Sequence, residues 1–147
     1  MSAASNYVED RTLDFWLKAN STSTSAPSTV FVALFTSADS TGGTAENLEA
    51  GILSNEVTTS GTAYVRQSIA FGTISNGSVA SSGTVTYATA TANYGTVTHV
   101  AIMDTNSTSD SAGAGNVLFY GALTSAKTIE SGDTFQIQAG SLTVSLA

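Results

Sequence analysis

Val30-Phe31-Val32-Ala33-Leu34-Phe35 is the segment that most limits what this chain can become. Six apolar residues in succession, mostly β-branched or aromatic, do not alternate and are too few for a helix pattern. Such a run suits a strand covered on both faces. Further short runs follow: Tyr64 to Phe71, Thr84 to Ala88, Thr96 to Met103 and Val117 to Leu123. Lys127 to Glu130, Thr134 to Gln138 and Ser141 to Leu146 complete the set. In the last of these Leu142, Val144 and Leu146 fall on one face. Asn76-Gly77 is a hairpin-turn signal, and Gly132-Asp133 and Ala139-Gly140 punctuate the later strands. Some eight short strands with turns between them predict a mainly β fold, an antiparallel β-sandwich or jelly-roll-like domain.

One helix precedes it. Asn6 with Glu9 three residues on resembles a capping box, and Glu9, Asp10 and Lys18 suit the helix dipole. Val8, Thr12, Phe15 and Trp16 share a stripe, with Leu13 and Leu17 beside it. The Ser/Thr-rich stretch Asn20 to Thr29 holds the single proline, Pro27, and reads as a connector. The expected organisation is therefore an N-terminal helix and connector over 1–29 and a β-sandwich domain over 30–147. Ser37 to Ser60 is expected to be an extended surface loop, with Glu46, Glu49 and Glu56 on a solvated face.

The composition removes several kinds of function. The 147 residues include 22 serines and 23 threonines but only 4 basic side chains, against 11 acidic ones, for a net charge of −7. Tracking a phosphate backbone needs clustered Lys and Arg, so no nucleic-acid partner is expected. No apolar run approaches the length that spans a bilayer, so no membrane partner is expected either. There is no cysteine, hence no disulfide, thiolate ligand or cysteine nucleophile.

The remaining candidates for chemistry are weak. His99 is the one histidine, lies in a strand pattern and has no nucleophile motif around it. The expectation is a strand histidine with a locally satisfied ring nitrogen. Asp104 to Asp110 resembles a calcium loop but lacks the glycine at the sixth position and carries Gly115 where the twelfth-position Glu belongs. A solvated hairpin loop is expected there, with weak calcium binding the open alternative. Gly113-Ala114-Gly115 fails as a phosphate cradle. The chain is accordingly expected not to be an enzyme and to need no cofactor or metal. Arg66, inside a strand pattern, is expected to have an acidic partner if buried, such as Asp133 or Asp104. Phe15 and Trp16 either dock the helix onto the β domain or anchor a partner subunit.

Taken together, certain segments are familiar: Asn6-Tyr7-Val8-Glu9; Ala26-Pro27-Ser28-Thr29 running into Val30 to Thr36; and Tyr64-Val65-Arg66-Gln67 with Ile69-Ala70-Phe71. Tyr94-Gly95-Thr96 through Asp104, Leu118 to Leu123, and Ile129 to Asp133 belong to the same series. The series resembles a family of small tailed-bacteriophage virion proteins often labelled tail-fibre-like, over nearly the whole chain. The chain departs from it at Tyr94, where Trp is expected, and over Asp39 to Ser60.

The resemblance implies a structural component of the virion. A receptor-binding fibre is usually long and carries a shaft repeat, which this chain lacks. The expected role is thus a capsid cement or decoration protein on the outer shell, bridging major capsid subunits and associating with copies of itself as a homodimer or homotrimer. The alternative is a tail fibre, collar or baseplate component that meets a host receptor, for which exposed aromatics such as Tyr87 or Tyr94 would form a glycan platform. The expected interface residues are Tyr7, Phe15, Trp16, Leu17, Glu46 and Glu49, together with the N-terminal segment and the Ser37–Ser60 stretch.

Overall fold

The computed structural model describes residues 3–18, 25–36, 44–108 and 113–146. Its described elements are β1 (Ala3–Ala4), α1 (Asn6–Leu17), β2 (Val30–Thr36), α2 (Thr44–Glu49), β3 (Gln67–Ile69), β4 (Ser78–Ala80), β5 (Val85–Thr86), β6 (Gly95–Met103), β7 (Val117–Ile129), β8 (Gln136–Ile137) and β9 (Thr143–Ser145). Five strands form one antiparallel sheet in the order β1-β7-β6-β2-β3. Two small antiparallel pairs, β4–β9 and β5–β8, accompany it. The fold is mainly β and antiparallel, without a closed barrel, and is compatible with a sandwich.

β2 explains why its sequence does not alternate. Val32, Ala33, Leu34 and Phe35 are all fully buried, but into two different layers. Val32 and Leu34 enter the larger core with Val57, Tyr64, Tyr87, Val97, Ile102 and Ile137. Ala33 and Phe35 enter a smaller core under α2, with Leu48, Ala101, Met103 and Val117. A strand covered on both faces has no position for a polar side chain.

Buried backbone groups need partners as well. β3 pairs only with Val30 to Val32, so the rest of that edge of β2 is satisfied in other ways. The Leu34 N–H donates to the Tyr64 hydroxyl at 3.0 Å. The N–H of Val57 donates to the Leu34 carbonyl at 2.9 Å, and that of Thr36 to the Asn55 carbonyl at 2.9 Å. Tyr87 donates from its hydroxyl to the Val32 carbonyl at 2.9 Å. Tyr64 stacks on Tyr87 with ring centres 6.0 Å apart and meets Tyr94 edge-on at 5.8 Å. Tyr87 and Tyr94 are therefore core residues and form no exposed platform of the kind that would favour glycan binding. Their rings carry apolar area inward, and buried hydroxyls of this kind are retained where they find a backbone partner.

The stretch from 37 to 60 is not simply an extended surface loop. Residues 37–43 lie outside the described residues, but 44–49 form α2, and Asn47, Leu48, Asn55, Glu56 and Val57 are buried. Glu56 leaves the solvated face because it holds Arg66. The guanidinium donates from Nε to Glu56 Oε1 at 2.7 Å and from Nη2 to Oε2 at 2.8 Å, both side chains being inaccessible to water. Nη1 donates to the carbonyls of Thr105 and Ala114, at 3.1 and 2.7 Å. Arg66 thus has the buried acidic partner expected of it, but that partner is Glu56 and neither Asp133 nor Asp104. Asp133 accepts the Glu130 N–H at 2.9 Å, and Asp104 accepts both the backbone and side-chain amides of Asn116.

The turn at Asn76-Gly77 forms as expected. Both residues have positive φ, 50° and 71°, and Ser75 and Ser78 exchange backbone hydrogen bonds across it. The two strands expected over Val117 to Leu123 and Lys127 to Glu130 are one strand, β7. Its pairing with β6 passes from Ala122 opposite His99 to Lys127 opposite Val97, so β7 spends five residues where β6 spends two. The surplus around Leu123 to Ala126 bulges, which breaks the pattern that sequence periodicity relies on.

Candidate interface

The N-terminal arm is anchored to the sheet at its root. Ala3 and Ala4 pair with Tyr120 and Phe119 at the outer edge of β7. Ser5 is buried and fixes the junction. Its N–H donates to the Leu118 carbonyl at 3.1 Å, its hydroxyl donates to the Val117 carbonyl, and its own carbonyl accepts the first helical N–H groups, from Val8 and Glu9. Ser5, not Asn6, is thus the N-cap. Its side chain caps no helical amide, because β7 has claimed the hydroxyl. Lys18 closes the other end as the C-cap residue and pairs with Asp14 at 2.9 Å.

No residue of α1 is buried. Five large apolar side chains on it are exposed, among them Trp16 and Leu17 at 75% and Leu13 at 54%. Phe15 and Trp16 pack edge-on against each other at 5.2 Å, and the Arg11 guanidinium lies 5.3 Å over the Tyr7 ring. Phe15 and Trp16 therefore do not dock the helix onto the β domain. Docking fails because Ser5 tethers the helix by its first turn, and the helix carries apolar side chains on more than one side. Leu13, Trp16 and Leu17, at spacings of three and four, nevertheless form one stripe. Glu9 and Asp10 lie one turn before them on that stripe.

Glu46 and Glu49 sit elsewhere, on the exposed side of α2 above the sheet. Tyr120 of β7 lies near Glu49. Burial first, and then the Glu49 charge, raise its phenol above the ordinary value of 10.0, with Glu9 and Glu46 adding to the effect. His99 of β6 lies near Glu46. Partial burial lowers its imidazole below 6.5, and Glu46 opposes that shift. Its Nδ1 is bonded to the Thr98 hydroxyl at 2.9 Å, as expected of a strand histidine satisfied locally. Of the six expected interface residues, Tyr7, Phe15, Trp16 and Leu17 share the arm, and Glu46 and Glu49 share the α2 face.

Residue-by-residue reading misses a further surface. On the side of the β6–β7 ribbon away from α2, an open groove of about 380 Å3 runs beneath the segment bearing β8 and β9. Val100, Ile102, Phe119, Leu123, Phe135 and Leu142 give it an apolar floor and wall. Lys127 and the polar side chains of Thr124, Ser125 and Gln138 lie along it. The groove is assembled from four strands between Val100 and Val144, joined by loops, so no local pattern announces it.

The described residues contain no cluster of three or more His, Asp or Glu that could hold a metal ion. Within the Asp104–Asp110 segment, Asp104 spends its carboxylate on Asn116, and Asp110 lies outside the described residues. No described helix is long and apolar enough to cross a membrane.

No curated protein sequence matches the chain. A family model described as Podophage GP4 fiber I protein gp80 matches residues 3–145, a span that opens with β1, contains α1 and closes with β9. The arm, the sheet and the groove all fall inside that match, and the chain belongs to the Podophage GP4 fiber I protein gp80 family, as a fibre-type structural protein of the tailed-phage virion.

Proposed function

We propose that this protein is a non-enzymatic assembly component of a tail fibre, and that α1 is the element by which it joins its neighbours. The observation that carries this reading is the exposure of Leu13, Phe15, Trp16 and Leu17 on a helix that buries nothing of its own. Exposed apolar patches on folded proteins mark contact surfaces, and tryptophan is enriched among the residues that dominate contact energy. The Tyr64, Tyr87 and Arg66 chemistry is spent on holding the β body together and offers no reacting group to a substrate.

The tail placement is favoured over the capsid cement role expected from the sequence. The family description names a fibre, whereas the negative charge and small β body that suggested cement suit either place. Immunogold labelling of intact particles tests the placement. Gold at the tail is expected, and gold distributed evenly over the head would make the protein a cement. Phage carrying Trp16→Ser tests the contact. Particles should lose the protein, and normal incorporation would remove α1 from the assembly.

A further inference from the structure

Among the described residues, the stripe on α1 and the groove beside β7 are both unfinished apolar surfaces, and each lacks what the other supplies. We infer that the stripe of one copy seats in the groove of a second copy. This rests on the proposed role of α1 as a contact element and names its occupant.

The stripe has the form of a helix that binds a groove. Leu13, Trp16 and Leu17 stand at i, i+3 and i+4, the spacing by which such helices insert their anchors. The groove, at about 380 Å3, has room for a few such side chains and not for a whole chain segment, and Val100, Ile102, Phe119, Leu123, Phe135 and Leu142 provide apolar walls for them. The charges agree as well. Glu9 and Asp10 precede the anchors on the same stripe, and the groove is edged by Lys127. The chain has only four basic residues, and among the described residues Lys127 has no ion pair, whereas Arg66 and Lys18 are engaged by Glu56 and Asp14. An acidic helix is the complement of that edge, and the α1 of an identical chain is acidic. In its own chain α1 is tethered through Ser5 to β7 and leaves the stripe in water, so the seat is filled from outside. Reciprocal seating closes a dimer, and head-to-tail seating closes a ring such as a trimer.

The test uses the full purified chain. Wild-type protein is expected to sediment as a dimer or ring at micromolar concentration, and Trp16→Ser and Leu17→Ser as monomers with unchanged circular dichroism. Because the chain has no cysteine, single-cysteine variants report one contact each. Lys18→Cys mixed with Ser125→Cys should oxidise to a covalent heterodimer at least tenfold faster than Lys18→Cys mixed with Thr73→Cys, a residue outside the groove.

A wild-type chain that stays monomeric at every soluble concentration overturns the inference. If Trp16→Ser particles still lose the protein, α1 keeps its contact role and its occupant is a different virion protein. A Lys18→Cys/Ser125→Cys double variant that oxidises only within one chain also overturns it, with the helix's own groove as the seat. Assembly by Trp16→Ser equal to wild type overturns it outright.

Discussion

β2 and α1 are both rich in large apolar residues, and the molecule treats them in opposite ways. Every side chain from Val32 to Phe35 is fully buried, while α1 has none buried and leaves Trp16 three-quarters exposed. The difference lies in what surrounds each segment. β2 is flanked by β3 and β6 and covered by α2 on one face and the tyrosine core on the other. α1 is joined to the body at its root, where Ser5 meets β7, and buries none of its residues. Apolar surface that a chain does not bury within itself is surface it can bury against another chain. On that view β2 answers for stability and α1 for assembly, and substitutions should separate the two.

The largest expected effect is on the body. Arg66→Met leaves the Glu56 carboxylate buried without its partner, which costs about 3–5 kcal/mol, and frees the carbonyls of Thr105 and Ala114 as well. A fall in Tm on the order of 10 °C by calorimetry is the corresponding shift. Tyr64→Phe is next. It removes the acceptor for the Leu34 N–H and the donor to Glu56 Oε1, at a cost of about 1–3 kcal/mol in denaturant titration.

The same tyrosines give the body an alkaline limit. Burial, reinforced by the Glu56 charge, holds the Tyr64 and Tyr87 phenols well above their ordinary value of 10.0. In the unfolded chain they lose protons near that ordinary value, so above it the unfolded state binds fewer protons than the folded one. Their contribution to stability is whole below pH 10.0 and declines as pH climbs beyond it. A pH series of urea midpoints reads this, and Tyr87→Phe should flatten the alkaline slope.

For the arm the order reverses. Trp16→Ser should change stability by no more than about 0.5 kcal/mol, as for an exposed surface site, while abolishing assembly. A large loss of Tm in this variant would erase the contrast between the regions. The smallest effect belongs to Lys127→Glu. It should weaken self-association by a few-fold at low salt and by nothing measurable at high salt, because rim charges are screened.

The sequence discloses the two regions unequally. β2 and β6 are readable because burial on both faces writes an uninterrupted apolar run, and the turn at Asn76-Gly77 because it needs positive φ at both positions. β4, which follows that turn, carries Ser78-Val79-Ala80, a composition no different from the loops around it. α2 is too short to show a period, and its buried Asn47 is polar. Glu56 resembles Glu46 and Glu49 in sequence. Only the arrival of Arg66 beside it, through the fold, separates a buried ion pair from an exposed acid. The apolar residues of α1 were visible from the start. Their sequence could not say whether they turn inward, because inward packing depends on how the helix is tethered, and the tether is a two-residue strand pairing together with the backbone and hydroxyl of Ser5.

Trp16 is the single tryptophan in the chain, so it reports on the arm without labelling. Intrinsic fluorescence of the purified protein, followed from nanomolar to high micromolar concentration alongside sedimentation, measures whether α1 is completed by another molecule. The account predicts the red-shifted emission of a water-exposed indole in the dilute monomer, and a blue shift that tracks the mass of the assembly. Emission already blue-shifted in the monomer, or unchanged while the protein assembles, would contradict it.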